Sequence, residues 1–401
     1  MDLVIATATA LLASLMLTPL ARTLAWRADA VCRPDGNRRL HRRPTPTWGG
    51  IAVCAAVGLS VAASFVANAW TDPLPPWPVP LAISTALLCL LGCYDDLCKL
   101  DARAKLLGQV VAVIPLVTEG FCVHQCVLFG CFIELGWLGP WITAAWLLLG
   151  INALNLIDGM DALASTLGIV MSLAVATVAA MHGASNVVPW ALGVAGALAG
   201  FLVYNRPPAR IFLGDCGSMV LGLILAVLSL RAAQTAPHAA NLSILVALMF
   251  VPLLDTALAV MRRALQGQSL FQGDRGHVHH RLLDRGLHVW AVVGVLGALS
   301  ALGGAVAYAS AYSGHEWWVW PLAGVGMVML VRGRLVGHVE WGLAKSFLAR
   351  RVLGAFALRS VPPEPPPVLT VEQVLIHSGK TGTSSALPRS DEELPEVRKA
   401  A

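Results

Sequence analysis

Long apolar runs alternate with short polar loops along most of the chain. The runs fall at 3–20, 48–70, 78–94, 105–120, 139–156, 161–181, 187–204, 216–232, 239–261, 289–311 and 317–333. Segments such as LILAVLSL and LLASLMLTPLA have no polar face, so they lack the one-sided stripe of a helix packed on a soluble core. Runs of roughly 20 apolar residues can cross a bilayer. Inside lipid every backbone polar group needs an internal partner, which a helix supplies. The pattern predicts an all-α, polytopic integral membrane protein with about eleven transmembrane helices. It contains no solenoid repeat and no inverted repeat of the transporter kind.

Composition agrees. Of 401 residues, 57% are hydrophobic and 13% charged, against about 25% charged in a soluble domain. The net charge of +5 matters less than its placement. The loops at 21–47, 95–105, 205–215 and 262–288 hold most of the Lys and Arg. Those at 71–77, 121–138 and 312–316 hold none, and the loop at 233–238 has only the bordering Arg231. The positive-inside rule therefore puts the N-terminus outside and the C-terminus in the cytoplasm. The first run has no small-residue cleavage site after it and reads as a retained helix. Residues 1–333 form the transmembrane domain. Residues 334–401, with PPEPPP and RSDEELPEVRKA, read as a cytoplasmic tail, largely disordered after a basic amphipathic stretch near 338–358.

Most of the nine Cys lie in or beside spans as packing residues. Cys122, Cys126 and Cys131 share an outward loop with His124. An ordinary loop and a disulfide in an oxidising compartment are both open, whereas the spacing matches no standard zinc pattern.

Charges beside membrane spans are costly and usually functional. Here five polar clusters crowd the basic side. RRLHRRPTPTWGG (38–50) combines Arg and His41 with two Pro and a Gly pair that permits close approach. CYDDLCKLDARAKLLGQ (93–109) puts Asp95 and Asp96 at the end of a span, where paired carboxylates need a cation or a shared proton. Lys105 and Gln109 follow one helical turn apart. INALNLIDGMDALA (151–164) spaces Asn152, Asn155, Asp158 and Asp161 by threes, which reads as one helix face. Such oxygen ligands suit Mg²⁺, which leaves the rest of its shell to water and phosphate. In YNRPPARIFLGDCGSMVLG (204–222), Asp215 lies between Gly214 and Gly217 at the start of a span, a cradle for an anion or a metal–phosphate.

The fifth cluster is RGHVHHRLLDRG (275–286). His277 and His279 alternate, as in an extended loop presenting both on one side. Zinc held by His277, His279 and His280 is one reading. Arg275, Arg281 and Arg285 oppose a cation and favour a phosphate, which Arg binds through two donors. Taken together, the acidic and amide oxygens can hold Mg²⁺ while Lys105, the Arg and the His hold phosphates. That is the equipment of phosphoryl transfer at a membrane face, with one lipid substrate and one cytoplasmic nucleotide. Nothing in the pattern suits nucleic acid. A secondary transporter for an anionic metabolite would want charges near the bilayer midplane. A membrane prenyltransferase would want two Asp-rich motifs, and CYDDLCKLD supplies one imperfect candidate.

From about residue 38 to 285 these clusters, in this order, resemble the polyprenyl-phosphate N-acetylhexosamine-1-phosphate transferases (glycosyltransferase family 4). The resemblance implies ten or eleven spans, an inner-membrane location and a cytoplasmic Mg²⁺ site in which Mn²⁺ can substitute. The implied reaction moves a sugar-1-phosphate, GlcNAc-1-phosphate on this branch, from a UDP-N-acetylhexosamine to undecaprenyl phosphate, releasing UMP. It starts a cell-envelope glycan such as a lipopolysaccharide.

Carried over by position, Asp95 and Asp96 handle the lipid phosphate, Lys105 contacts phosphate, and Asn155 and Asp215 hold the metal. Asp158 lies near the nucleotide, and His277, His279 and His280 complete the catalytic set. His41, Asn152, Asp161, Asn205, Arg263, Arg275 and Arg281 join Lys105 as candidate substrate-binding residues. The H-x-H-H form favours a simple UDP-N-acetylhexosamine donor over the muramoyl-pentapeptide branch, which carries three consecutive His. A homodimer is a candidate assembly. The chain departs from the family pattern at Ala162, where D-G-x-D-G has its second Gly, at Thr47, where P-T-P-R-x-G-G has Arg, and at Cys216, a position more often occupied by another small residue.

Overall fold

The computed structural model describes residues 2–34, 43–67, 76–236, 239–269 and 276–316, together with 320, 321, 324, 328, 342, 343, 345 and 346. They belong to a compact unit spanning Met1–Phe347; a second unit is Leu348–Ala401. His41, Arg275, most of 317–333 and the tail beyond 346 lie outside the described residues.

Among the described residues, twelve α-helices account for most of the apolar runs. They are α1 (Asp2–Arg27), α2 (Gly49–Ala67), α3 (Pro78–Cys98), α4 (Ala102–Thr118), α5 (Gly139–Ile157), α6 (Leu163–Met181), α7 (Val188–Asn205), α8 (Asp215–Ala232), α9 (Leu242–Leu248), α10 (Phe250–Gln266), α11 (Val278–Asp284) and α12 (Val289–Ser313). Among the described residues eight helices are long and apolar enough to cross a membrane, nine if α9 and α10 count as one broken span. The protein is thus a multi-pass membrane protein.

The run at 239–261 is not one straight helix: α9 and α10 meet at 89°. Pro252 lies in the first turn of α10. It has no N–H for the carbonyl four residues back, and its ring clashes there.

Helix α8 forms the middle of the bundle, with 89% of its apolar window buried. It packs against α2, α3, α5 and α6. Small residues set the separations, as is common where lipid supplies no hydrophobic drive between helices. A Cβ on Gly92 would meet the Cys216 backbone at 2.3 Å, and one on Gly50 would meet Gly217 at 2.1 Å. The N-terminus of α8 is therefore clasped between α2 and α3. On the flank, α1 packs on α7 and α2, tied by Ser60 Oγ to the Ala6 carbonyl (2.7 Å) and Tyr204 Oη to the Leu15 carbonyl (3.0 Å).

The all-α expectation needs one correction. The loop at 121–138 holds a hairpin, β3 (Gln125–Leu128) and β4 (Cys131–Glu134), turned by Phe129 and Gly130, both at positive φ. That is the turn geometry that suits strand twist. β3 pairs in parallel with β6 (Ala239–Asn241), which pairs with β5 (Gln234–Ala236), giving the order β4-β3-β6-β5. Buried Glu316 stitches this sheet to the helices: it accepts from Phe129 N (2.8 Å) and Asn241 Nδ2 (2.8 Å). Cys122, Cys126 and Cys131 are all free thiols, so the disulfide reading is not realised. At the other end, β1 (Val31–Cys32) pairs with β2 (Thr45–Pro46). Gly49 N and Gly50 N then donate to the Phe212 and Leu213 carbonyls at 3.0 and 2.8 Å, fastening this segment over the start of α8.

Candidate active site

Four helix ends meet on the basic side. The end of α3 brings Asp95 and Asp96, the start of α4 Lys105, the end of α5 Asn155 and Asp158, and the start of α8 Asp215 and Ser218. Lys105 Nζ lies 2.8 Å from Asp95 Oδ2, 3.2 Å from Asp215 Oδ1 and 3.0 Å from Asn155 Oδ1. The amide of Asn155 donates to Asp215 Oδ1 and, at 2.9 Å, to Ser218 Oγ. Asp95 Oδ1 accepts from Leu100 N at 2.8 Å. Both Asp95 oxygens are thus engaged, and the residue acts as an anchor for Lys105.

Asp96 differs. Its Oδ1 accepts from Asp215 N at 3.2 Å, but its buried Oδ2 has no hydrogen-bond partner. Gly214 makes room for it: φ is 76° there, and a Cβ would lie 2.7 Å from that oxygen. A cleft of about 420 Å³ opens here, lined among others by Asp96, Asn155, Asp158, Asp161, Asn205, Phe212, Asp215, Ser218 and His280.

Charge in the cleft is out of balance. Among the described residues, the cation paired with the carboxyl groups of Asp95, Asp96, Asp158 and Asp215 is Lys105, which meets Asp95 and Asp215. Burial, followed by the nearby charges of Asp215, Asp96 and Asp161, pushes the Asp158 carboxyl well above the ordinary range. A divalent cation would relieve this. The donor set fits a hard ion: carboxylate oxygens, one of them orphaned and buried, with an amide and a hydroxyl beside them. Among the described residues no three His, Cys, Asp or Glu side chains are grouped so as to hold a metal ion. An ion here would therefore rely on water and substrate phosphate for much of its shell, as Mg²⁺ does.

Two readings of the sequence change. Asn152, Asn155, Asp158 and Asp161 do not share a helix face, because α5 ends at Ile157. Asn152 instead donates to Gln109 Oε1 (2.8 Å) inside the bundle. Asp161 accepts from Ala209 N (2.9 Å), in a turn that continues through Ala162 at φ 64°. Asn205 is buried and ties that turn to its own loop, accepting from Ala162 N (3.0 Å) and donating to the Ile211 carbonyl (3.1 Å).

The His segment is not extended either. His277 precedes the short helix α11, and its ring stacks on that of His279 with 5.9 Å between centroids. Of the three His, His280 lines the cleft. His279 is 1% exposed and has no hydrogen-bond partner on either ring nitrogen. It packs so closely on Gly159 that a Cβ there would meet its Nε2 at 2.5 Å. Burial and then the neighbouring His280 lower its imidazole to about 3, so it is neutral. Stacked rings, with His277 Nδ1 already engaged by Asp255, do not form a zinc site. Arg263 is buried at the end of α10 and Arg281 half-buried on α11.

Asp255 was missed in the sequence. It is buried on α10, with Oδ2 2.8 Å from His277 Nδ1 and Oδ1 accepting from Val278 N at 2.8 Å. One carboxylate thereby orients the first His and caps α11. The available signal was a lone acid within an apolar run, which is rarely without a partner. Phe212 was also missed, since nothing marks a Phe in so apolar a chain.

Residues 79–233 match the family described as glycosyl transferase family 4. A probable undecaprenyl-phosphate N-acetylglucosaminyl 1-phosphate transferase of Bacillus subtilis is 32% identical over 287 residues, covering 71% of this chain and 78% of its own. The chain belongs to glycosyl transferase family 4. A decaprenyl-phosphate N-acetylglucosaminephosphotransferase of Mycobacterium tuberculosis is 34% identical over 327 residues (70% of this chain, 78% of the relative). A phospho-N-acetylmuramoyl-pentapeptide-transferase of Moorella thermoacetica is 34% identical over 276 residues (64% and 82%). The family match begins in α3 and ends just after α8. It therefore contains Asp95, Asp96, Lys105, Asn155, Asp158 and Asp215, the whole network around Lys105.

Proposed function

We propose that this family 4 transferase moves N-acetylglucosamine-1-phosphate from a UDP-sugar to polyprenyl phosphate, on the cytoplasmic face of the inner membrane, and releases UMP. The observation that carries the reading is the Lys105 network beside the orphaned Asp96 oxygen. It combines a cation held between carboxylates with an oxygen lacking a partner, beside a polar cleft that Asp96 lines. The names of the Bacillus and Mycobacterium relatives support the same substrate classes.

In this scheme an oxygen of the lipid phosphate attacks the β-phosphorus of the donor. A new phosphorus–oxygen bond forms, the bond to the UMP oxygen breaks, and UMP leaves with the electron pair. Asp215, Asp96 and Asn155 would hold Mg²⁺, whose contribution is to neutralise the donor diphosphate. Lys105, fixed by Asp95, supplies positive charge beside the reacting phosphates. His280, which lines the cleft, would meet the donor there. The lipid phosphate is largely ionised at neutral pH, so Asp96 serves as a ligand and orienting group more than as a base.

The test is Asp215→Ala in detergent-purified protein, with UDP-N-acetylglucosamine and polyprenyl phosphate. Transfer should fall by at least about a hundredfold. Mg²⁺-dependent transfer near wild type would refute the metal assignment. The Moorella relative keeps a muramoyl-pentapeptide donor in play, and UMP release across a panel of UDP-sugars separates the two.

A further inference from the structure

Beside the active cleft lies a second cavity, of about 340 Å³, lined by Arg206, Pro207, Pro208, Arg210 and Trp290. The two are neighbours: Asn205 and Val289, adjacent in sequence to Arg206 and Trp290, line the cleft. Arg206 and Arg210 are exposed. Among the described residues neither guanidinium meets a carboxylate. A third cation, Arg22 of α1, donates from Nε to the Arg210 carbonyl at 3.2 Å and, among the described residues, also has no acidic partner.

Depth in the membrane narrows the ligand. Leu20 and Leu24 flank Arg22 on α1 and are 65% and 50% exposed, as expected of a helix face turned to lipid. Trp290, 48% exposed, opens α12 in the manner of an interfacial anchor. The cavity therefore sits at headgroup level. Its backbone is already fixed: Ala209 N donates to Asp161 Oδ2 (2.9 Å) and Arg210 N to the Tyr204 carbonyl (2.9 Å). Unpaired guanidinium forks suit phosphate oxygens, and basic pockets at this depth suit anionic headgroups.

We propose that this cavity binds the phosphodiester headgroup of an anionic phospholipid, clamped by Arg206 and Arg210 against Trp290. Occupancy steadies the loop that brings Asn205, Phe212 and Asp215 to the cleft. The site thus couples the state of the leaflet to the enzyme.

The test uses the full chain in nanodiscs of phosphatidylcholine, with or without phosphatidylglycerol. Melting temperature and lipid retained in native mass spectra are measured, so neither readout depends on sugar transfer. Phosphatidylglycerol should raise the wild-type melting temperature and be retained. Arg206→Gln/Arg210→Gln should lose both effects while melting like wild type in phosphatidylcholine alone. If that pair melts lower there, each single variant should still lose retained lipid. Arg27→Gln/Arg103→Gln, which removes the same charge elsewhere, should keep both effects. The proposal fails if the Arg206/Arg210 variant keeps the gain or if the control pair loses as much. It also fails if inorganic phosphate alone reproduces the rise, since the ligand would then be a soluble anion.

Discussion

Ala162 stands at φ 64°, a region that costs a residue with a Cβ about 1–2 kcal/mol. The family pattern has Gly here, and the geometry explains why: the chain must turn sharply between Asp161 and α6. Ala162→Gly should raise stability by about 0.5–1 kcal/mol, while Ala162→Val should lower it, both read by thermal melting. Asp255 makes a stronger prediction. Asn at this position can still accept from Val278 N, but it turns an amide N–H₂ or a weaker acceptor toward His277. Asp255→Asn should cost roughly tenfold to a hundredfold in kcat/KM, the worth of a buried hydrogen bond to a charged group. Wild-type kinetics in that variant would remove Asp255 from the site.

Between elements, the contact of α3 with the start of α8 sets the separation of Asp95 and Asp96 from Asp215. Gly92→Val would drive a side chain into the Cys216 backbone. It should cost about 1–3 kcal/mol and lose transfer activity more steeply than stability. Helix α11 carries a pH signature. His279 titrates near 6.5 in the unfolded chain and at about 3 in the fold, so the unfolded state binds more protons between those values. Its contribution to stability is complete above pH 6.5 and is lost as pH falls toward 3. His279→Leu should show a shallower fall in melting temperature from pH 6.5 to 4.5 than wild type does. An unchanged slope would mean that the ring is hydrated.

At the scale of the molecule, two experiments bear on orientation and on the cation. Of the nine thiols, only Cys98 and Cys131 are exposed, one beside the polar cluster at the end of α3 and one on the hairpin. An impermeant maleimide applied outside intact cells should label Cys131 and spare Cys98. Inverted vesicles should reverse the pattern, and the opposite result would invert the topology. The excess of carboxylates predicts that EDTA lowers the melting temperature relative to Mg²⁺. Asp96→Asn/Asp215→Asn should narrow that difference, because it removes the repulsion the ion relieves.

The sequence by itself determined the membrane character, the places of most helices and the polar clusters of the site. These rest on local signals: apolar length, loop charge and short motifs. It also pointed to Lys105, Asp96, Asn155 and Asp215 as one chemical unit. The tertiary structure decided which groups face substrate. Asn152 and His279 share motifs with cleft residues but turn inward, since each motif crosses a helix end where the direction of side chains changes. It decided the 89° break between α9 and α10, the sheet at the opposite end and the pairing of Asp255 with His277. Each of these depends on contacts between segments distant in sequence, and spacing along a chain cannot encode which buried partner a polar group will meet.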